Sequence, residues 1–393
     1  MSKKNRKWLV FTIMCLAYMP GSYAQYQLSV YAPELIQSFG LTTSQFSSLF
    51  TAPMIVAIFL SFVGGMISDK VGSKKVINIS FVIAGIGMIG RVFANSYMPF
   101  FLCMALTGFS NMFVNINASK ITASWFEQEK LGILMGIFAF CGQLPGAFAT
   151  ATTAVLFDSR TSAFIVSAIF CISVFVLWLL FVKDKPEDTM EEREKIDQEN
   201  QPSIGDSLKV VLSNKGVWLV SICIMMALGS TVTLSTFMPM ALQTMYGIDL
   251  KVCGTIASML TLGNCIGSIT GPIVFSKIKN VKVFVSGAAV LSFAGIIMCW
   301  RFPSIFVLHI LVLYTGIMLG ASMPIFLSAP VLLEGLGTKY AGSAAGVIST
   351  LQLLGAVLIP TYILTPIAGD NYSLLFMLAS ICMVIMFLCG LLL

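Results

Sequence analysis

Long apolar runs separated by short polar breaks recur along the whole chain. Twelve can be marked, over about residues 8–31, 46–67, 76–95, 99–121, 131–156, 162–182, 216–243, 253–275, 281–301, 304–328, 342–366 and 372–393. Each lies close to the roughly 20 residues a helix needs to cross a bilayer. Lipid offers no partner to backbone N–H and C=O groups, so runs of this length and number satisfy them internally, as helices. The pattern predicts an all-α membrane protein with twelve transmembrane helices.

One long polar stretch interrupts the series. Residues 183–203 carry Glu191-Glu192-Arg193-Glu194-Lys195 at their centre, with Pro186 and Pro202 near the ends. It divides the chain into an N-terminal six-helix bundle (1–182), a cytoplasmic linker (183–215) and a C-terminal six-helix bundle (216–393). The two halves echo one another at an offset of 210: Arg91 answers Arg301, and Gly132-x-x-x-Gly136 answers Gly342-x-x-x-Gly346. Two related bundles are a secondary-transporter architecture, with the solute expected between them near the bilayer midplane.

Composition supports this reading. The chain is 57% hydrophobic and 10% charged, whereas a soluble domain carries about 25% charged residues. The net charge of +6 does not imply nucleic acid, because the cations sit at span ends and not along one polar face. With the N-terminus inside, nineteen of the 23 Lys and Arg residues fall on the cytoplasmic side; the others are Arg91, Arg160, Lys251 and Arg301. That bias predicts a multi-pass protein of the plasma (inner) membrane with both termini cytoplasmic. The basic start Lys3-Lys4-Asn5-Arg6-Lys7, followed by Trp8–Met19, imitates a cleavable signal, but the membrane-like stretch continues to Ala32 and reads as the first span. The ten cysteines lie in apolar segments without a C-x-x-C pair, and His309 is the single histidine. No metal site or cofactor is expected, and no G-x-x-x-x-G-K-[ST] loop offers ATP chemistry.

The stretch Gly65-Met-Ile-Ser-Asp69-Lys70-Val-Gly72-Ser-Lys74-Lys75, between two apolar runs, resembles the loop between the second and third helices of the major facilitator superfamily. Ser124-Trp125-Phe126-Glu127-Gln128-Glu129-Lys130 between the fourth and fifth runs, and the six-plus-six layout, carry the same resemblance over nearly the whole chain. It implies a transporter, not an enzyme, working by alternating access between two pseudo-symmetric bundles. It also implies a cytoplasmic latch at Gly65, Asp69, Lys70, Gly72, Lys74 and Lys75, joined by Glu129 and Lys130, with Asp69 the acid and Lys70 the base. Lysine stands where arginine is commoner; a point charge lacks the guanidinium fork. Asn117-Ala-Ser119-Lys120 and the residues to Phe126 are similar to the fourth-helix exit of organic-anion carriers and of haem- and choline-associated carriers.

None of the seventeen acids falls in the middle of a span. Intramembrane carboxylates are the usual proton relays and counter-charges for cations, so anions, neutral solutes, zwitterions or cations held by aromatic faces remain. Tyr23, Tyr26 and Gln27 share one side of the first helix at i, i+3, i+4; they line a solute cavity or belong to an outer aromatic belt. Asn111 and Asn115, Gln143, Tyr314 and Gln352 are further cavity candidates, each equally readable as an interhelical hydrogen-bonding group. Arg91, Lys120 and Arg301 attract anions or act as interface and topology charges. The expected function is secondary transport of a small polar metabolite, a small organic anion before all others. The alternative is a facilitative carrier of a neutral or quaternary-amine solute, choline-like in kind. Partners are the small-molecule substrate and the bilayer, with no nucleic acid and a monomeric state.

Overall fold

A computed structural model describes residues 3–182, 204–302, 304–332 and 337–393. Helices dominate. They are α1 (Lys3–Val30), α2 (Ala32–Phe39), α3 (Thr43–Val71), α4 (Ser73–Phe93), α5 (Tyr97–Trp125), α6 (Gln128–Leu156) and α7 (Arg160–Phe181). Then follow α8 (Ile204–Ser213), α9 (Lys215–Tyr246), α10 (Leu250–Ile278), α11 (Val281–Met298), α12 (Ile305–Leu332) and α13 (Gly337–Leu358). A π-helical turn, Ile359–Leu364, joins α13 to α14 (Thr365–Ala368), and α15 (Tyr372–Leu392) ends the chain. All twelve predicted spans are present as helix. Among the described residues, eleven stretches are long and apolar enough to cross a membrane. The other predicted span, α1, is as long but diluted by Tyr18, Tyr23, Gln25, Tyr26 and Gln27.

Local chemistry sets the breaks. Thr42 and Gln45 form a reciprocal capping box at the start of α3, at 3.2 and 2.9 Å, which satisfies two of the otherwise orphaned N–H groups. Asn214, Asn280 and Asn371 accept the N–H three residues on, at 3.3, 3.1 and 3.0 Å, and so open α9, α11 and α15. Gly72 alone separates α3 from α4, at φ 95°. Only glycine adopts that conformation without strain, which is why the loop motif needs it. Sequence reading missed two short helices. The first, α2, has Pro33 in its opening turn and Gly40 at φ 62° as its stop; the second, α8, lies within the stretch expected to be linker (183–215).

The chain groups into two compact units, Met1–Thr189 with Asp249–Ser258, and Met190–Ile248 with Met259–Leu393. In the first, α1 packs on α5, α6 and α7, and α4 packs on α5 and α7. Trp178, Phe81 and Phe138 are buried there, with Phe81 stacked on Phe175 at 5.4 Å. In the second, Gly263, Gly267 and Gly271 of α10 lie against the backbone of α12, and Gly316 and Gly320 return the contact. Lipid supplies no hydrophobic drive between helices, so close backbone approach through small residues supplies the packing.

Candidate functional site

Helix α1 carries two polar faces with different fates. Ala24, Gln27 and Tyr31 point into the first unit. Gln27 is fully buried: its Nε2 donates to the Ala163 carbonyl at 3.1 Å, and its Oε1 accepts from Arg91 Nη2 at 3.0 Å. Tyr31 donates to the Ser159 carbonyl at 3.3 Å. Tyr23 is buried too, its ring 6.2 Å from Phe148 and 6.1 Å from Phe170. Gln25, on a different side of the helix, donates to the Phe50 carbonyl at 2.8 Å. Of the three residues expected to share one side, toward a solute cavity or an outer belt, Gln27 and Tyr23 are thus packed inside the unit, and Tyr26 stays half-buried. An i, i+3, i+4 spacing names a shared side without saying which way it faces.

The other face holds Tyr18, Ser22 and Tyr26, one turn apart. Tyr18 stacks on Phe138 at 4.8 Å and covers Gly142 of α6. Tyr26 meets Phe50 edge-on at 5.5 Å, and a Cβ at Gly146 would sit 3.0 Å from its ring. Between them, Asn111 of α5 meets Ser22. The amide orientation that satisfies both ends donates to the Tyr18 carbonyl and accepts from Ser22 N and Oγ, each at 3.2 Å. Gln143, next to Gly142, is half-buried on α6. Tyr18, Tyr26, Asn111 and Gln143 therefore lie on the α1, α5 and α6 side of one unit.

Helix α5 continues the line. Asn111 is half-buried, and Asn115, Ser119 and Lys120 are exposed; the first three recur every four residues and share a face. Asn117, off that face, is buried and donates to Ser68 Oγ at 3.0 Å and the Phe113 carbonyl at 2.8 Å. In the second unit, Tyr314 of α12 and Gln352 of α13 are each half-buried. His309 has its Nδ1 2.8 Å from the Ile305 carbonyl one turn back.

The two pseudo-equivalent arginines part company. Arg301, beyond the end of α11, is exposed and leans on the Trp300 ring at 5.5 Å. Arg91, in the last turn of α4, is 1% exposed. It does not reach an outer mouth, because α1, α5 and α7 close over it. Its Nη1 donates to the Ala24 carbonyl at 2.9 Å, its Nη2 to Gln27 and to Ser167 Oγ, and its guanidinium lies over Phe164 at 4.4 Å.

At the expected latch, the backbone of Gly65, Asp69 and Lys70 is helical, ending in α3 before Gly72; the side chains of Asp69, Lys70 and Glu129 lie outside the described residues. Lys74 is half-buried and Lys75 exposed at the start of α4. Lys130 pairs with Glu127 at 2.8 Å. Hydrogen bonding and the Lys130 charge hold the exposed Glu127 carboxyl below its usual range, and such an open pair adds little stability.

The sequence profile described as Major Facilitator Superfamily matches residues 10–360, most of the chain. The chain belongs to that superfamily. Among its relatives is a probable sulfoacetate transporter of Cupriavidus necator, SauU, 24% identical over 364 residues, covering 87% of this chain and 83% of that one. A galacturonate transporter of Dickeya chrysanthemi is 22% identical over 309 residues, covering 75% and 90%. The fold matches the crystal structure of a bacterial homologue of the human lysosomal transporter Spinster, inward-facing and unoccupied. That match has a TM-score of 0.81 at 13% identity and covers 99% of this chain and 98% of that one.

This is therefore a multi-pass membrane transporter of the major facilitator superfamily, not an enzyme. Sequence reading of this facilitator missed Tyr18 and Ser22 as members of the polar face. Their signal was present: Tyr18, Ser22 and Tyr26 recur at i, i+4, i+8, and Gly142 and Gly146 let the two tyrosine rings approach α6.

Proposed function

We propose that the chain is a secondary transporter of a small organic anion in the plasma (inner) membrane, working by alternating access with both termini cytoplasmic. The observation that carries this reading is the α5 stripe, where Asn115 and Ser119 are exposed on one face, with Lys120 exposed next to it, on a helix otherwise suited to lipid. Amides, hydroxyls and ammonium groups facing hydrocarbon are expensive, so such a stripe marks an aqueous path. Acid-free spans support an anion over a cation, since no intramembrane carboxylate opposes a negative solute. Sulfoacetate and galacturonate, named for the two relatives, are both anions. In this reading Asn111, Asn115, Gln143 and Tyr26 of the first unit hydrogen-bond the solute, Lys120 supplies charge toward the inner end, and Tyr314 and Gln352 are the second unit's own polar candidates. Asp69 with Lys70, supported by Lys74, Lys75, Glu129 and Lys130, gates the cytoplasmic side.

The test is uptake and counterflow in liposomes containing the purified protein. Galacturonate and sulfoacetate should exchange, galactose and choline should not compete, and Lys120→Gln should raise KM for the anions about tenfold. Saturable choline or galactose uptake without anion uptake would replace this reading with a neutral or quaternary-amine facilitator. Binding with neither flux nor exchange would make the protein a sensor.

A further inference from the structure

Arg91 is a buried cation without a carboxylate. All of its contacts among the described residues are neutral: the Ala24 carbonyl, Gln27 Oε1, Ser167 Oγ, Met104 Sδ at 3.9 Å and the Phe164 ring. Its Nε, also buried, has no hydrogen-bond partner. The Gln27 amide cannot turn to help, because its nitrogen is committed to the Ala163 carbonyl. A guanidinium does not give up its proton inside proteins, and a buried charge is ordinarily paired. The first unit thus holds a fixed positive charge that its own groups solvate but do not cancel.

The location gives that charge a use. Arg91 grips α1 at Ala24 and Gln27, and at about 100° per residue Tyr26 projects about 100° round the helix from Gln27 and about 160° from Ala24. A solute beside Tyr26 would sit across α1 from the guanidinium, roughly 10 Å away. With little water between, a unit charge at that range changes the affinity of a monoanion on the order of tenfold.

We propose that Arg91 is the specificity-determining charge of this transporter, selecting anions over neutral and cationic solutes through the field it projects across α1, without touching the solute. The inference rests on the anion reading of the same face. Gln27→Glu tests it, because the new carboxylate stands beside the guanidinium and cancels its charge in a side chain of the same shape, with the loss of the donor to the Ala163 carbonyl. In liposomes, Gln27→Glu should raise KM for galacturonate about tenfold with Vmax within about twofold. Arg91→Lys, which keeps the charge and loses the fork, should hold KM within about threefold even if its Tm falls. Unchanged KM in Gln27→Glu would overturn the proposal, and abolished transport in Arg91→Lys beside it would leave Arg91 a hydrogen-bonding staple. If Gln27→Glu does not fold, Ser167→Asp sets a carboxylate against the same Nη2 and is read the same way. Wild-type protein that carries no anion would overturn the anion reading and this inference together; wild-type anion transport with an unaltered Gln27→Glu KM overturns this inference alone.

Discussion

Tyr18 lies flat on Phe138, and the rim of its ring fills the space where a side chain at Gly142 would stand. The glycine is there for the tyrosine. Gly142→Ala should push the ring off Phe138 and lower stability by about 1–3 kcal/mol, the usual range for overpacking. Thermal unfolding of the detergent-purified protein measures it. Adding Tyr18→Ala to Gly142→Ala should recover part of the loss, since the second truncation removes the clash; losses that simply add would place the strain elsewhere. Residues of this kind were half legible in the sequence. The Gly-Gln-Leu-Pro-Gly run announces close packing, and Tyr26 stands out as a polar ring in an apolar helix. What sequence cannot supply is the partner: Gln27 is occupied by a residue 64 positions away and a carbonyl 136 away, so its helical side was visible and its burial was not.

The eleventh predicted span departs from regular helix at the scale of the element. Pro360 has no N–H to give the carbonyl four residues back, and α13 widens into the π turn Ile359–Leu364, closed by the Thr365 N–H on the Pro360 carbonyl. Ile359 of that turn presses on Gly229 of α9, where a Cβ would sit 2.5 Å away. π turns inside helices collect at functional sites, and a widened turn next to a glycine contact is a place to bend. Pro360→Ala restores the donor, so the helix should regularise and the Tm rise, while Vmax for transport falls severalfold. A raised Tm with unchanged Vmax would mean the bend plays no part in turnover. The existence and order of the long helices were readable from hydropathy because lipid leaves few alternatives. The π turn and α2 were not, because each depends on where one proline falls within a turn, and apolar runs are insensitive to that.

At the scale of the whole molecule, the repeat at offset 210 predicts like roles for Arg91 and Arg301, and the structure separates them: one is buried in the first unit, the other exposed past α11. Repeats preserve fold more faithfully than chemistry, so the symmetry matched the helices of the two halves and misjudged the charge. The separation also sharpens the topology argument. Of the four cations assigned to the outer side, Arg91 is enclosed, and Arg160 is tied to Glu34 at 3.3 Å, to Ser38 at 2.9 Å and to the Phe39 ring. Lys251 and Arg301 are the two of the four left exposed, against the lysines assigned to the cytoplasmic side at the starts of α1 and α4 and the ends of α3, α5 and α10. Juxtamembrane Lys and Arg resist translocation. A fluorescent protein fused after Leu393 should therefore fold and glow in the cytoplasm, and alkaline phosphatase fused after Asp249 should be active outside. Phosphatase fused after Lys130 should be silent. The inverted pattern of signals would put the Gly65–Lys75 loop on the outer face and remove it as a cytoplasmic latch, whatever solute the protein carries.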